Sequence, residues 1–499
     1  MSRSDQALYS HADDDHLAGL GIKPELVRRM SGFGNLAISL TVISVLSGCM
    51  TLFGFGLVSG GPAVMMWGWL GVGLAVLLVG MALAEVTSAY PTSGGLYYMA
   101  LRLGGPRWAW GTGWLNLLGL LGGIAGIDYG AASFIAAFAN LQWGVETSPG
   151  LVLAIFAVVL LVHALLNVAA VRVVSLLNAV SVWWHVLGVL VIVGVLAVVP
   201  SHHQSPGFVF GHYANSTGWS NPVYVSAVGL LLAGYTFCGY DASAHMSEET
   251  TNARIAAPRG IVRSIWISLI AGFVLLAGLL FAVQDYAGTA AADVPPAQVF
   301  LDALGTTGAK VLLLIVIGAQ LFCGSAEVTA ASRMVYAFSR DNALPGSATW
   351  RRVSRSNKVP VPAVWLSVVV AFALAVPSLY SATAYGAVTA VNVIGMTPRY
   401  IIPVYLRLRQ RDRFVPGPWN LGRWSRPVGI TAVVWVVVLT VLVCLPQRYP
   451  VTIDTFNYAP VTLLVVLALA WVWWRMAGKR FSAPVVQDPH LAAIEEQIV

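Results

Sequence analysis

The sequence predicts an all-α membrane protein of twelve transmembrane helices. Three observations point there. Apolar residues make up 58% of the 499-residue chain and charged residues only 10%, against about 25% charged in an ordinary soluble domain. The apolar residues form long unbroken runs. A spanning β-barrel would alternate polar and apolar residues, whereas an unbroken run must satisfy its backbone within a helix. Lysine and arginine fall almost wholly on one side of those runs, as topology requires. A soluble enzyme and a nucleic-acid-binding module are excluded on these grounds, and the net charge of +7 reads as orientation.

At about 20 residues per span, the elements follow in order. No charged residue occurs between Met30 and Ala84. Gly60-Gly61-Pro62 divides that run into spans at 32–59 and 64–89. The next three lie at 107–139, 150–170 and 173–199, before a polar stretch at 201–221. Spans six and seven lie at 222–250 and 260–284. A loop at 285–306 leads to span eight, 307–338, and a basic loop at 339–358 leads to spans at 361–379 and 383–406. The last two lie at 427–446 and 458–476. The expected organisation is a tail at 1–30, a ten-helix transport core at 31–406, a loop at 407–426, helices eleven and twelve at 427–476, and a tail at 477–499.

With the N-terminus inside, 26 of the 28 basic residues, Arg399 among them, fall on the cytoplasmic side. Only Lys310 and Arg448 remain outside. This asymmetry supports twelve spans with both termini cytoplasmic. Residues 1–30 lack the apolar core of a signal peptide. Trp67, Trp108, Trp110, Trp219 and Trp471, Trp473, Trp474 fall near expected interfaces. Cys49, Cys238, Cys323 and Cys444 lie inside apolar runs and read as unpaired core residues. There is no H-E-x-x-H, no phosphate-binding loop and no cysteine–histidine metal spacing. The chain therefore reads as no enzyme, with no cofactor and no metal.

Two spans do not read as plain helices. Span one has Ser47-Gly48 at its centre, followed by Gly54 and Gly56. Span six has Gly234, then Cys238-Gly239-Tyr240-Asp241. Each glycine alone fits close helix packing. Together they interrupt spans five apart, where an inverted five-plus-five repeat has its discontinuous helices. Backbone groups released at such breaks hold carboxylates at half-helix N-termini and amines or cations at freed carbonyls.

Three stretches resemble the amino acid–polyamine–organocation permease superfamily. Ser47-Gly48 resembles its G-(S/A)-G loop in helix one, although position 46 is leucine. Pro91-Thr92-Ser93-Gly94-Gly95-Leu96-Tyr97-Tyr98 resembles its P-x-x-G-G-x-Y element. Glu249-Thr250-Thr251-Asn252, with Pro258 and Ile261, resembles E-x-x-N followed by P-x-x-I. Residues 239–249 and 337–345 resemble the branch of GABA and choline permeases. The resemblance covers essentially the whole chain. It implies a LeuT-like fold: a 5+5 inverted repeat plus two C-terminal helices, helices one and six discontinuous, with alternating access around a site between them.

Ionisable groups at depth cost about 2.5–3.5 kcal/mol on insertion scales, so each needs a reason. Asp241 follows the presumed break in span six and either pairs with a substrate amine or caps the second half-helix. Asp128 in span three is a proton site or a buried hydrogen bonder. Glu327 in span eight is a similar case and could also pair with Arg333. His185 in span five lies near the position where some proton-coupled members of the superfamily carry lysine. It titrates in the useful range or is a neutral core histidine. His163 and His245 allow the same two readings. Glu85, Glu248 and Glu249 are expected to pair with Arg102, Arg254 and Arg340 near the inner face.

The expectation is a secondary transporter in the cell membrane that imports a small amino acid or amine, GABA first, by proton symport. The substrate carboxylate would sit on the backbone of Ser44, Val45, Leu46, Ser47 and Gly48. The amine would sit near Phe237, Gly239, Tyr240 and Asp241. Exchange, and from another class a transporter-like nutrient sensor, are the alternatives.

Overall fold

A computed structural model describes Leu17 and residues 30–92, 94–169, 171–354, 359–380 and 384–481. Most of the two expected tails, and Ser93 of the P-x-x-G-G-x-Y element, lie outside these residues. The described chain is helical, with two isolated bridges, Met30–Thr250 and Ser59–Asn215. In chain order the main helices are α1 (Gly32–Ile43), α2 (Val45–Val58), α3 (Gly61–Ala89), α4 (Gly95–Gly104), α5 (Pro106–Trp143), α6 (Pro149–Ala169) and α7 (Val171–Val198). Then come α8 (Pro222–Gly229), α9 (Leu231–Thr236), α10 (Ala242–His245), α11 (Ala253–Phe281), α12 (Pro295–Arg340), α13 (Val361–Ala375), α14 (Ala384–Gln410), α15 (Ser425–Cys444) and α16 (Ala459–Ala477).

Among the described residues, ten helices are long and apolar enough to cross a membrane. Two of the twelve expected spans fall outside that set. One is span six, which is short pieces: α8 and α9 form an apolar stretch, and α10 follows after an irregular segment. The other is α14, whose middle holds Asn392, Pro398 and Arg399. The expected loop at 285–306 is partly helical. It holds a short helix, Tyr286–Ala291, and the first turns of α12, which bends at Gly305.

The core forms where small residues let helices approach closely. Helix α11 lies along α3, and both α12 and α14 lie along α5. Helix α5 has seven glycines between Gly111 and Gly130 and buries most of its length. Helices α15 and α16 add to the outside, and α16 buries only Ala459, Ala470 and Ala477. Exposed Trp67 and Trp471 suit an interfacial position. Trp110 does not: it is buried, and its indole N–H donates to the Ala470 carbonyl at 3.0 Å. Cys49, Cys238 and Cys323 are buried and Cys444 half-buried, all as free thiols.

Candidate functional site between the interrupted helices

The α1–α2 junction turns on one residue. Ser44 adopts a left-handed backbone, φ 38° and ψ 80°, ending α1 and capping α2. Its N–H donates to the Leu40 carbonyl at 3.1 Å, and its carbonyl accepts from the Ser47 and Gly48 N–H groups, both at 2.9 Å. A non-glycine residue is uncommon there, and side-chain bonds support this one. The Ser44 hydroxyl oxygen accepts from the Ser47 N–H at 3.2 Å and lies 2.6 Å from His185 Nε2. His185 Nδ1 lies 2.7 Å from the Ser181 carbonyl, so that nitrogen donates and Nε2 accepts the Ser44 proton. His185 is thus joined directly to the break in the first span, a link that sequence spacing did not reveal.

The second break runs from Phe237 to Asp241, between α9 and α10. Gly239 has φ +90°, and a Cβ there would lie 2.3 Å from Val42. The two breaks cross closely at Gly48, where a Cβ would come within 2.4 Å of Thr236. The pieces on the far side of each break are tied as well. Asn35 donates to the Ser243 carbonyl at 2.9 Å, and Ser39 donates to the Tyr240 carbonyl at 2.8 Å. Helix α1 is therefore hydrogen-bonded to the segment containing α10.

A small cavity, with room for about one water molecule, opens between the breaks. Ser47, Gly48, Thr236, Cys238 and Gly239 line it from the two breaks; Ile127, Glu327, Asn392 and Met396 line it from α5, α12 and α14. Of the residues expected to hold substrate, Ser47, Gly48 and Gly239 therefore face the cavity. Ser44, Val45, Leu46, Phe237, Tyr240 and Asp241 are buried beside it and are not among its lining. Phe237 packs on Trp69, ring centroids 4.4 Å apart, and Tyr240 stacks on Tyr400 at 4.3 Å. The Ser47 hydroxyl donates to Gln320 Oε1 at 2.5 Å.

Asp241 makes contacts that the sequence did not suggest. It occupies the N-cap position of α10 but makes no side-chain capping bond. Its carboxylate meets Arg399 instead. Arg399 Nη2 donates to Oδ1 at 3.0 Å, and Nη1 lies 2.7 Å from Oδ2. The Tyr400 hydroxyl donates to Oδ1 at 3.1 Å, and His245 Nε2 lies 3.1 Å from Oδ2. Arg399 and Asp241 are 1% and 2% exposed. Arg399 is therefore no loop or end residue, as the charge count had it. An arginine inside an otherwise apolar run was the available signal, and its partner was not visible.

The other candidates separate in the same way. Asp128 Oδ2 lies 3.0 Å from His163 Nδ1, both buried, while Asp128 Oδ1 has no protein hydrogen-bond partner. Asn167 bridges this pair to α12: its amide donates to the His163 carbonyl at 3.0 Å, and its oxygen accepts from Thr329 at 2.6 Å. Glu327 does not meet Arg333, which donates to Ser332 at 3.0 Å and senses Glu249. Both Glu327 carboxyl oxygens are buried without a protein hydrogen-bond partner. Glu85 pairs with Arg407 at 3.0 Å and accepts from Ser425, rather than with Arg102, Arg254 or Arg340. At the end of α12, Tyr97 donates to Asp341 at 2.8 Å, joining two of the stretches singled out in the sequence. Burial raises the Asp341 carboxyl, and the Tyr97 bond and Arg340 partly oppose this.

The comparisons agree with this architecture. Residues 33–468 match the family model described as amino acid permease. The chain is 39% identical to "Amino-acid permease BAT1" of Arabidopsis thaliana, over 94% of this chain and 95% of that protein. It is 40% identical to "Amino-acid permease BAT1 homolog" of Oryza sativa subsp. japonica, over the same shares. It is 31% identical to "GABA-specific permease" of Saccharomyces cerevisiae, over 94% of this chain and 85% of that protein. The apolar helices, the buried polar site and the match along nearly the whole length lead to one conclusion: this chain belongs to the amino acid permease family, and is an integral membrane transporter of amino acids rather than an enzyme.

Proposed function

We propose that the protein imports a small amino acid or amine across the cell membrane by alternating access, driven by protons, with GABA the first candidate. The observation behind this reading is the cavity between the two helix breaks, lined by Ser47 and Gly48 on one side and Thr236, Cys238 and Gly239 on the other. The first turn of α2 reaches that cavity through Ser47 and Gly48, and a helix N-terminus favours a carboxylate. We assign the substrate carboxylate to the Ser44–Gly48 segment, through Ser44, Val45, Leu46, Ser47 and Gly48. The amine end points toward Cys238 and Gly239, with Phe237 and Tyr240 walling that side.

In this reading the fold is the twelve-span, five-plus-five arrangement, with α1–α2 and α8–α10 as its discontinuous helices and both termini cytoplasmic. Helix α1 moves with the α10 segment, because Asn35 and Ser39 tie them. The Asp241–Arg399 pair holds that unit to α14 when the inner side is closed. His185 is the first proton-coupling candidate. A proton on Nε2 converts its acceptor contact with Ser44 into a donor contact and so changes the polarity at the first break. Asp128, with His163, is the second candidate and Glu327 the third.

The test is uptake of labelled GABA into proteoliposomes without sodium, with and without an inward proton gradient. Gradient-stimulated, saturable uptake is expected. Uptake that ignores the gradient removes proton coupling, and exchange-only flux against internal amino acid marks an exchanger. Absence of GABA uptake alongside uptake of another amino acid removes GABA alone.

A further inference from the structure

Glu327 is the one carboxyl-bearing residue in the cavity lining, and no basic side chain is bonded to it. It projects from α12 between α5 and α14, 1% exposed, and neither oxygen has a hydrogen-bond partner in the protein. The basic residue nearest in kind, Arg399, is committed to Asp241 at 2.7 and 3.0 Å. Arg399 therefore acts on Glu327 only at a distance, and Glu327 remains the unbonded acid of the cavity. Asn392 does not relieve it: its amide donates to the Gly119 carbonyl at 2.8 Å and makes no bond to Glu327. A buried carboxylate without a partner is costly, which makes a dedicated space for one informative. Gly123 supplies that space: a Cβ there would lie 2.5 Å from Glu327 Oε1 and 2.8 Å from Asn392 Nδ2.

The same cavity is lined by Ser47 and Gly48, in the first turn of α2. The cavity lining therefore combines part of the first turn of a helix, the end that favours anions, with a lone carboxyl group. A molecule with a carboxylate at one end and an ammonium at the other meets both.

We infer that Glu327 receives the ammonium group of the substrate, while Asp241 serves the internal pair with Arg399, so that this site selects amino acids over carboxylic acids of the same length. The inference rests on the transport reading above. It refines that reading in one respect: the cation partner is on α12 rather than at the second helix break. Glu327 holds the ammonium by up to two charge-assisted hydrogen bonds, in the space that Gly123 leaves open beside it. No bond is made or broken.

The experiment uses the full chain purified in detergent, with GABA and L-alanine as amine-bearing probes and butyrate and propionate as their deaminated counterparts, binding being read by calorimetry. In the unaltered protein at least one amine-bearing probe is expected to bind tenfold or more tighter than its counterpart. In Glu327→Gln that advantage should vanish, while butyrate or propionate binds as well as before or better. Retained discrimination in Glu327→Gln overturns the inference and leaves the transport reading intact. If neither amine-bearing probe binds the unaltered protein, the transport reading falls for these substrates and the inference falls with it. A second measurement needs no variant: labelling of Glu327 by dicyclohexylcarbodiimide, read by mass spectrometry. The bound amine-bearing probe should suppress labelling at least tenfold, and butyrate should not. Unchanged labelling with that probe bound overturns the inference.

Discussion

Arg399 and Asp241, 158 positions apart in sequence, meet in the interior with Nη2 3.0 Å from Oδ1 and Nη1 2.7 Å from Oδ2. Removing one member of such a pair leaves an uncompensated buried charge, at a cost of about 3–5 kcal/mol. Arg399→Gln and Asp241→Asn should each lower the thermal midpoint of the purified protein and abolish transport. The double variant should recover most of the stability of the unaltered chain. If it is less stable than either single variant, the pair is not coupled as the geometry indicates.

His185 and Ser44 give a prediction about coupling. His185→Ala should leave measurable exchange but abolish the pH dependence of uptake, because the group that reads the proton at the first break is gone. Ser44→Ala removes two hydrogen bonds, to His185 and from the Ser47 N–H, of about 1 kcal/mol each, and should weaken that pH dependence without erasing uptake. Initial rates across a pH series check both. Unchanged pH dependence in His185→Ala removes the residue from the coupling mechanism.

Gly48 gives a packing prediction. A methyl group there would meet Thr236 Oγ1, Cγ2 and Cβ at 2.4, 2.6 and 2.7 Å. The Thr236 Cβ is fixed to its backbone, so the two breaks must separate. Overpacking of this kind costs about 1–3 kcal/mol. Gly48→Ala should therefore reduce uptake by about tenfold or more, one decade corresponding to about 1.4 kcal/mol. Thr236→Ala should not rescue it, because its Cβ remains. Uptake normalised to the amount of protein in the liposomes is the measurement.

Asp128 and His163 form a buried pair on helices flanking α12. Asp128→Asn keeps the size and one acceptor oxygen but cannot take up a proton. If the pair carries a coupled proton, this variant should lose gradient-driven accumulation and keep substrate counterflow. Equal loss of both would mark Asp128 as structural.

Asp341 lies outside the spans, and its carboxyl is raised in the folded protein, chiefly by burial. The folded state then holds a proton that the unfolded state has released, so stability falls as pH rises through the window above the usual carboxylate value of about 3.9. Asp341→Asn keeps an acceptor for Tyr97 and removes this titration. Its thermal midpoint should change less than that of the unaltered protein between about pH 4 and pH 7.

Much of this molecule follows from its sequence alone. Uncharged apolar runs require helices, because an unpaired backbone is too costly in lipid. Glycines clustered at Ser47-Gly48 and at Cys238-Gly239 mark where those helices cannot run straight. The stretches around Gly95 and Asp341 were visible as motifs, and the structure joins them through the Tyr97–Asp341 bond. What only the tertiary structure decided is which polar group meets which. Asp241 looked free because Arg399 belongs to another helix, and a period of 3.6 residues says nothing about partners across helices. Glu327 looked like a partner for Arg333, six residues along the same helix, yet the two are not bonded. Ionic partnership depends on distances of 3–4 Å between side chains from separate elements, and those distances exist only after the helices have packed.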